Sequence, residues 1–392
     1  MNSRNHIIGI PSEIDEGCCC VALSPKIINL LTKEGHTVIL QKGAGERAFY
    51  PDELLEDAGA RLVPDALRVY EESDVVFKVR PPGFNKELDK HELDLMKEET
   101  AILGFLTPTQ NREIVKKLIE RRLTGFAMEL IPRLSRAQSM DALTSMGTIM
   151  GYRAALLASN LLGKFFPLLM TPAGTIQPSL VLVIGAGVAG LQAIATSRRL
   201  GAKVEAFDTR HPVKEQVESL GAQFIEMELP DDMETKFGYA KQATEEFIQK
   251  EMEVISERLP EADVVITTAL IYGRKAPLLI TEEMVKRMQP GSVIVDLAAE
   301  QGGNCELSQV GKTVEKHNVI IYGAKDLPSQ LPLHSSLMYS QNIYHAYHNL
   351  FTQEKDSVDL EDEINSHALA TFKGEIISDL VKDFYQKEEN NR

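Results

Sequence analysis

Several things are scarce or missing in this chain of 392 residues, and each absence narrows what it can do. No segment reaches the roughly 18 uninterrupted apolar residues that a membrane-spanning helix needs, so no span is expected. The start, Met1-Asn2-Ser3-Arg4-Asn5-His6, runs straight into Ile7-Ile8-Gly9-Ile10. That reads as a first strand and lacks the charged and apolar regions of a signal peptide. Cysteine occurs four times, as Cys18, Cys19, Cys20 and Cys305. Three adjacent cysteines cannot make a CxxC metal spacing, and Cys305 has no His/Cys cluster beside it, so no metal site is expected. Reduced thiols of a cytosolic protein are the plainer reading. A thiol nucleophile among Cys18–Cys20 would need an adjacent base, and none is visible. Positive charge is in deficit: Lys+Arg number 42 and Asp+Glu 57, a net charge of −15. A nucleic-acid backbone calls for a basic footprint, so nucleic acid is not expected as a partner. Lys116-Lys117 and Arg121-Arg122 read as solvated helix faces.

What is present is a strand–helix rhythm. The length suggests two domains. Strands are expected at 6–10, 37–41, 61–63, 74–79, 101–105 and 124–130, with helices at 24–35, 51–58, 64–70, 86–97 and 111–121. A long helix is expected from about 136 to 162 as a link. Further strands fit 180–184, 203–207, 223–226, 263–268, 292–296 and 318–322, and helices 212–219, 240–257, 281–288 and 306–316. Alternation of this kind builds parallel sheets with helices on their faces. The expected fold class is α/β, with two Rossmann-like domains, the second inserted in a discontinuous first. Residues 1–135 with 327–380 would form the first, 136–326 the second, and 381–392 a frayed tail.

The apolar run Leu180-Val-Leu-Val-Ile184 leads directly into Gly185-Ala186-Gly187-Val188-Ala189-Gly190 and then a helix. A lone GxGxxG is weak, but here an acidic residue, Asp208, follows 18 positions after Gly190 at the end of the next strand. Gly185 permits the tight turn, Gly187 lets backbone approach a pyrophosphate, and Gly190 lets helix and strand pack closely. The helix N-terminus offers free N–H groups to phosphate. Asp208 could accept from both ribose hydroxyls and would repel a 2′-phosphate, which favours NAD(H) over NADP(H). Arg210, beyond Thr209, complicates this, because a phosphate could find it. The bland alternative is a glycine turn in an unrelated sheet. Thr267-Thr268-Ala269-Leu270 closes another strand and would line the same crevice. Asp231 to Tyr239 is a polar connection long enough for a lid, or merely an exposed loop.

A second constellation runs from Pro132 to Thr144. On a helix from about 137, Gln138, Asp141 and Thr144–Ser145 would share a face, with Arg133 at its mouth. They could clamp a polar heterocycle. Equally, Asp141 could cap a helix or pair with arginine. No His–Asp pair is placed as a general acid/base. A dehydrogenase that removes a proton as well as a hydride usually shows one. That points mildly to a reaction that moves a hydride only.

At this point a family resemblance emerges. It is carried by Met128-Glu-Leu-Ile-Pro-Arg-Leu-Ser-Arg-Ala-Gln-Ser-Met-Asp141, Gly151-Tyr-Arg153, Val188-Ala-Gly-Leu-Gln-Ala-Ile-Ala-Thr196 and Lys214-Glu-Gln-Val-Glu-Ser-Leu-Gly221. Gly238-Tyr-Ala-Lys241, Thr267-Thr-Ala-Leu-Ile271, Pro290-Gly-Ser-Val-Ile-Val-Asp296 and Gly302-Gly-Asn-Cys305 extend it. The chain resembles the soluble NAD(H)-binding component of proton-translocating NAD(P) transhydrogenase, related to alanine dehydrogenase. The resemblance implies a homodimer that binds NAD(H) and exchanges hydride with NADP(H) held on a partner beta subunit, coupled to proton movement through a membrane domain. It implies a cytoplasmic place, peripheral at the inner membrane through those partners. It implies nicotinamide-side roles for Arg133, Gln138, Asp141 and Thr144, the last in place of a serine, and a closing-loop role for Tyr239. Departures are Tyr272 in place of a proline and Cys20 in place of the arginine that holds substrate carboxylate in alanine dehydrogenases. Their acid/base histidine has no counterpart, and Lys78 or Arg80 would take the place of their substrate lysine. These departures weigh against amino-acid oxidation.

Overall fold

Short apolar runs buried on both faces make the strands, and the chain gathers them into two sheets. The computed structural model describes residues 5–227, 245–270, 275–351 and 358–390. Two compact units emerge: Met1–Met146 with Pro328–Arg392, and Gly147–Leu327.

In the first unit an eight-stranded sheet runs Glu375–Ile376, Leu369–Phe372, Thr124–Ala127, Ala101–Gly104, Val75–Phe77, Ile7–Ile10, Thr37–Gln41, Arg61–Val63. The last six are parallel. Val75–Phe77, Ala101–Gly104 and Thr124–Ala127 are buried at every position, as strands covered by helices on both faces must be. The two strands from the C-terminal segment join antiparallel, so this end of the chain completes the first sheet.

The stretch 86–97, expected as a helix, is instead a small hairpin of Phe84–Asn85 and Lys90–His91 followed by a 3-10 turn at Glu92–Leu95. Asn85 Oδ1 accepts from the Glu87 and Leu88 N–H groups, and Asp89 takes φ +51°. An Asx turn and a left-handed residue both compete with helix. The tail expected to fray is helical over Asp379–Asn390, anchored by the fully buried Val381.

In the second unit a seven-stranded sheet runs Gln223–Phe224, Lys203–Phe207, Leu180–Ile184, Val264–Thr267, Val293–Asp296, Val319–Gly323, Thr313–Lys316. All are parallel but the last. Each sheet is therefore mixed, with its antiparallel strands at an edge. Leu180–Ile184 alternates cleanly: Val181 and Val183 pack into one core with Ala193 and Ile194, Leu182 and Ile184 into another with Ile255 and Val265.

The helix expected at 306–316 is absent, and Thr313–Lys316 is a strand. His317 and Asn318 both have positive φ, +53° and +60°, and form a two-residue reverse turn into Val319–Gly323. That turn matches strand twist and fixes the hairpin.

The long helix is also shorter than expected. Ser135–Met140 is 3-10, and the α-helix is Ala142–Leu161. Among the described residues no helix is long and apolar enough to cross a membrane.

Candidate functional site

The strand Leu180–Ile184 lies between Lys203–Phe207 and Val264–Thr267, whose crossovers leave in opposite directions. A crevice opens at the carboxyl end of such a strand. There Gly185 takes φ +91°, and a Cβ on it would stand 2.7 Å from Thr268 Oγ1. A Cβ on Gly190 would stand 1.9 Å from the Gly185 carbonyl oxygen, so only glycine permits this contact of helix with turn. Among the described residues, a Cβ on Gly187 would meet nothing nearer than an Arg210 nitrogen at 3.9 Å. That space fits a pyrophosphate. Gly187 also begins the helix Val188–Arg199, and no side chain caps it. The first-turn N–H groups, at Val188, Ala189 and Gly190, therefore lack intrahelical partners, as at the helix ends that bind anions.

Asp208 sits at the tip of Lys203–Phe207 and is 7% exposed. Its Oδ2 accepts from Ala186 N at 2.7 Å and Arg210 Nη2 at 2.9 Å. Its Oδ1 accepts from Arg210 N and Nε, both at 2.9 Å. A carboxylate offers about four acceptor positions, so all of them are engaged here. Two of these four bonds come from the Arg210 guanidinium, at the place where the sequence reading expects ribose hydroxyls. Thr209, between them, is half-buried.

Thr268 faces Gly185: its Oγ1 donates to the Gly185 carbonyl at 2.8 Å. Ala269 N donates to Asn304 Oδ1 at 3.0 Å, and Leu270 is exposed. Tyr239, with the expected lid from Asp231, lies outside the described residues, as does Tyr272.

Two residues near this crevice escaped sequence reasoning. Glu251, 8% exposed, has its carboxyl pushed up to about 7, mainly by burial and then by the charge of Asp208. Its signal is the four-residue spacing of Phe247, Glu251 and Ile255, which puts a carboxyl on the helix's apolar face. Asn304 is fully buried. Its traces in the sequence are the turn Gly302-Gly303 and its place in the string Gly302-Gly-Asn-Cys305, neither of which shows its contacts.

The second constellation belongs to the first unit. Arg133 and Gln138 are exposed, and Asp141 and Thr144 are half-buried. Asp141 does what the plainer alternative held: Oδ1 accepts from Thr144 N at 2.8 Å and Oδ2 from the Thr144 hydroxyl at 2.6 Å. This caps the helix Ala142–Leu161 and breaks the expected single helix into two segments. The threonine keeps the hydroxyl function of a serine in that contact. The preceding 3-10 segment is tied down by Arg136 to Asp362 at 2.8 Å and by Asn342 Nδ2 donating to the Ser139 carbonyl.

Lys78 is fully buried between Glu92 Oε1 at 2.8 Å and Glu13 Oε2 at 3.2 Å. Burial pulls its pKa down, but the two carboxylates outweigh that and raise it. Tyr70 also donates to Glu92. This lysine is fully buried and paired with two carboxylates within the fold. Arg80, half-buried, is the other candidate for that position. Cys20 is buried, with its sulfur 3.9 Å from Ser329 Oγ. Among the described residues no group of histidine, cysteine and carboxylate side chains could hold a metal.

Comparison with known proteins agrees with this geometry. Residues 9–150 match the family model of the alanine dehydrogenase/PNT N-terminal domain, and residues 154–379 that of the C-terminal domain. The chain is 45% identical over 378 residues to the first part of the NAD(P) transhydrogenase alpha subunit of Rhodospirillum rubrum, covering 94% of this chain and 97% of that one. Among solved structures, a transhydrogenase from Sinorhizobium meliloti superposes with a TM-score of 0.81 at 36% identity, over 95% of this chain and 99% of that one. An L-alanine dehydrogenase superposes with a TM-score of 0.78 at 26% identity, over 97% and 99%. The chain belongs to the alanine dehydrogenase/PNT family, and within it to the kind represented by the first part of the NAD(P) transhydrogenase alpha subunit.

Proposed function

We propose that this chain is the NAD(H)-binding component of a proton-translocating NAD(P) transhydrogenase. It exchanges hydride with NADP(H) held on a partner beta subunit. The observation that carries the reading is the open glycine turn. Gly187 leaves room for a pyrophosphate at an uncapped helix N-terminus, and Asp208 stands at the neighbouring strand end. Val188, Ala189 and Gly190 would bind phosphate through their N–H groups. Asp208, released from Arg210, would take the ribose hydroxyls, with Thr209, Thr268, Ala269 and Leu270 along the wall. Tyr239 would close over the nucleotide. Bound NADH supplies the hydride.

Arg133 and Gln138 would orient the nicotinamide carboxamide. Asp141 and Thr144, already bonded to each other, would hold the start of the helix that carries them. Such a site works by positioning and exclusion of water. The amino-acid dehydrogenase alternative is disfavoured by Lys78, which is closed into an ion triad, and by buried Cys20, which carries no positive charge for a substrate carboxylate.

We read the assembly as a homodimer. The hairpin Leu169–Thr171/Gly174–Ile176 and the segment leading into it show Phe165, Leu168, Met170 and Ile176 at 41–75% exposure. A two-stranded hairpin is marginal alone, and an apolar patch of this kind marks an interface. A second copy is the partner proposed. The chain would sit in the cytoplasm, at the inner-membrane face, through the membrane domain and beta subunit. Residues up to the helix Ala142–Leu161, with the C-terminal segment, would form the first domain, and the glycine-turn unit would hold the nucleotide.

The experiment mixes the protein with its beta-subunit partner and follows reduction of an NADP+ analogue by NADH. Turnover that needs both proteins is expected. NADH binding without transfer, or NAD+ reduction by alanine with this protein alone, would overturn the reading.

A further inference from the structure

The wall of the crevice opposite the glycine turn is the strand end Thr267-Thr268-Ala269. Nothing in a strand end by itself fixes its last peptide, because the ladder has run out there. In this chain a single buried side chain does so. Asn304 makes six hydrogen bonds. Its Oδ1 accepts from Ala269 N at 3.0 Å, and its Nδ2 donates to the Ala269 carbonyl at 2.8 Å. The carboxamide thus grips both the N–H and the C=O of one residue, as a neighbouring strand would. The second Nδ2 hydrogen goes to the Pro277 carbonyl at 2.9 Å. Its own carbonyl accepts from Leu279 N and Ile280 N, both at 2.9 Å.

Asn304 is itself held from beneath. Its N–H donates to Oδ2 of Asp296 at 3.0 Å, and Cys305 N donates to the same oxygen at 3.2 Å. The other oxygen of Asp296 accepts from Thr267 Oγ1 at 2.9 Å and Ala298 N at 3.0 Å. Asp296 and Asn304 are both fully buried. A buried network with every member satisfied is stiff, because each lost bond strands a polar group in a dry interior. On the crevice side the same segment reaches the glycine turn: Thr268 Oγ1 donates to the Gly185 carbonyl, and Thr268 N to the Ile184 carbonyl, both at 2.8 Å. An unbroken run of contacts therefore joins Asp296, Asn304, Ala269, Thr268 and Gly185.

We propose that Asn304 is a positioning residue for the nucleotide: by clamping the Ala269 peptide it sets the distance between the Thr268–Ala269 wall and the glycine turn, and so the width of the slot that receives NAD(H). This rests on the nucleotide-binding reading and adds to it a residue that itself does not touch the ligand. Glutamine is one methylene too long for the two-bond grip on Ala269. Aspartate keeps an acceptor for Ala269 N but sets oxygen against the Ala269 and Pro277 carbonyls.

Calorimetric titration of the full chain with NADH separates this role from a merely structural one. A structural role lowers the number of competent sites and leaves the dissociation constant alone. A positioning role raises the dissociation constant at unchanged stoichiometry. Asn304→Ala is expected to raise the Kd for NADH about tenfold or more, with stoichiometry as in the parent. Thr268→Val removes only the hydroxyl bond to Gly185 and keeps side-chain volume. It is expected to raise Kd about threefold to tenfold, and because Thr268 itself lines the slot, Asn304→Asp, which leaves Thr268 intact and is expected to raise Kd by a similar factor, carries the test if Asn304→Ala does not fold. An unchanged Kd in a folded variant, at whatever stoichiometry, overturns the proposal while the nucleotide-binding reading stands. Absence of NADH binding by the parent chain would instead overturn that reading, and this inference with it.

Discussion

The two units carry closely similar scaffolds and treat their central strands in opposite ways. In the first, Ile7–Ile10 lies between Thr37–Gln41 and Val75–Phe77, a switch point like that of any open parallel sheet. Its continuation, Pro11-Ser12-Glu13, sends a carboxylate back to Lys78 and to the Val79 and Arg80 N–H groups. The Lys78–Glu13–Glu92 triad joins the strand ends of this sheet in a dry interior. In the second unit the equivalent strand, Leu180–Ile184, ends in a glycine turn with space beside Gly187 among the described residues. The same topology thus gives one strand end filled by ions and one left open to an anion. Function follows from the residues placed at the switch point, and the fold supplies only the place.

The largest expected effects test whether each strand end behaves as its contacts require. Lys78→Met leaves two carboxyls buried without their cation and should cost about 3–5 kcal/mol of stability, read by urea unfolding. The NADH affinity of the folded variant should stay unchanged, and a weakened affinity would mean the first unit's strand ends also serve the nucleotide.

Gly190→Ala should destabilise by a similar amount, on the order of 3 kcal/mol or more, because its Cβ would stand 1.9 Å from a backbone oxygen. Gly187→Ala should keep stability within about 1 kcal/mol, since no described residue crowds that position, yet lose NADH binding at least about tenfold. If both glycines behaved alike, the slot at Gly187 would not be a ligand space.

At Asp208 the expected effects are smaller and opposite in sign. Asp208→Ala should weaken NADH about 10- to 100-fold, and weaken NADPH less, as two hydrogen bonds to a charged group are lost. Arg210→Ala frees the same carboxylate and should tighten NADH by about threefold, a gain that salt reduces. Equal losses of NADH and NADPH affinity in Asp208→Ala would contradict the assigned preference.

The last effect, a pH dependence, concerns Glu251. Its folded pKa, about 7, lies above the ordinary carboxyl value. Between about pH 4.5 and 7 the folded state binds more protons than the unfolded, so this residue's share of stability is present below that window and lost as pH rises through it. Glu251→Gln should match the parent near pH 4.5 and exceed it by roughly 1–3 kcal/mol at pH 8. Parallel stability curves from pH 4.5 to 8 would show that Glu251 is not buried as described.

The parts legible in the sequence were those written in local pattern. An apolar five-residue run, three glycines and an acid at the next strand end mark the nucleotide turn, because each is a short-range requirement of backbone geometry. The misread segments failed for a shared reason. Residues 86–97 and 306–316 have helix-like spacing, but Asp89, His317 and Asn318 take left-handed backbone without being glycine. Asp141 was readable as a ligand or a cap, and in this structure it bonds Thr144 at the third helical position as a cap does. Glu251 carries a faint periodic signal. For Asn304 and Lys78 the sequence shows a turn and a family position but not their contacts, since their partners lie up to 65 positions away in the chain and only folding brings them together. In both units, then, the deciding contacts at the strand ends are the long-range ones.

The central claim is a hydride passed directly between two nicotinamides, with no proton removed by the protein. The direct measurement uses NADH deuterated at the transferred position of C4, this chain, its beta-subunit partner and an NADP+ analogue, with mass analysis of the product. Full retention of deuterium in the reduced NADP(H) analogue, and none in solvent water, is the predicted result. Deuterium released to water, or reduction of the analogue without its transfer, would contradict the account.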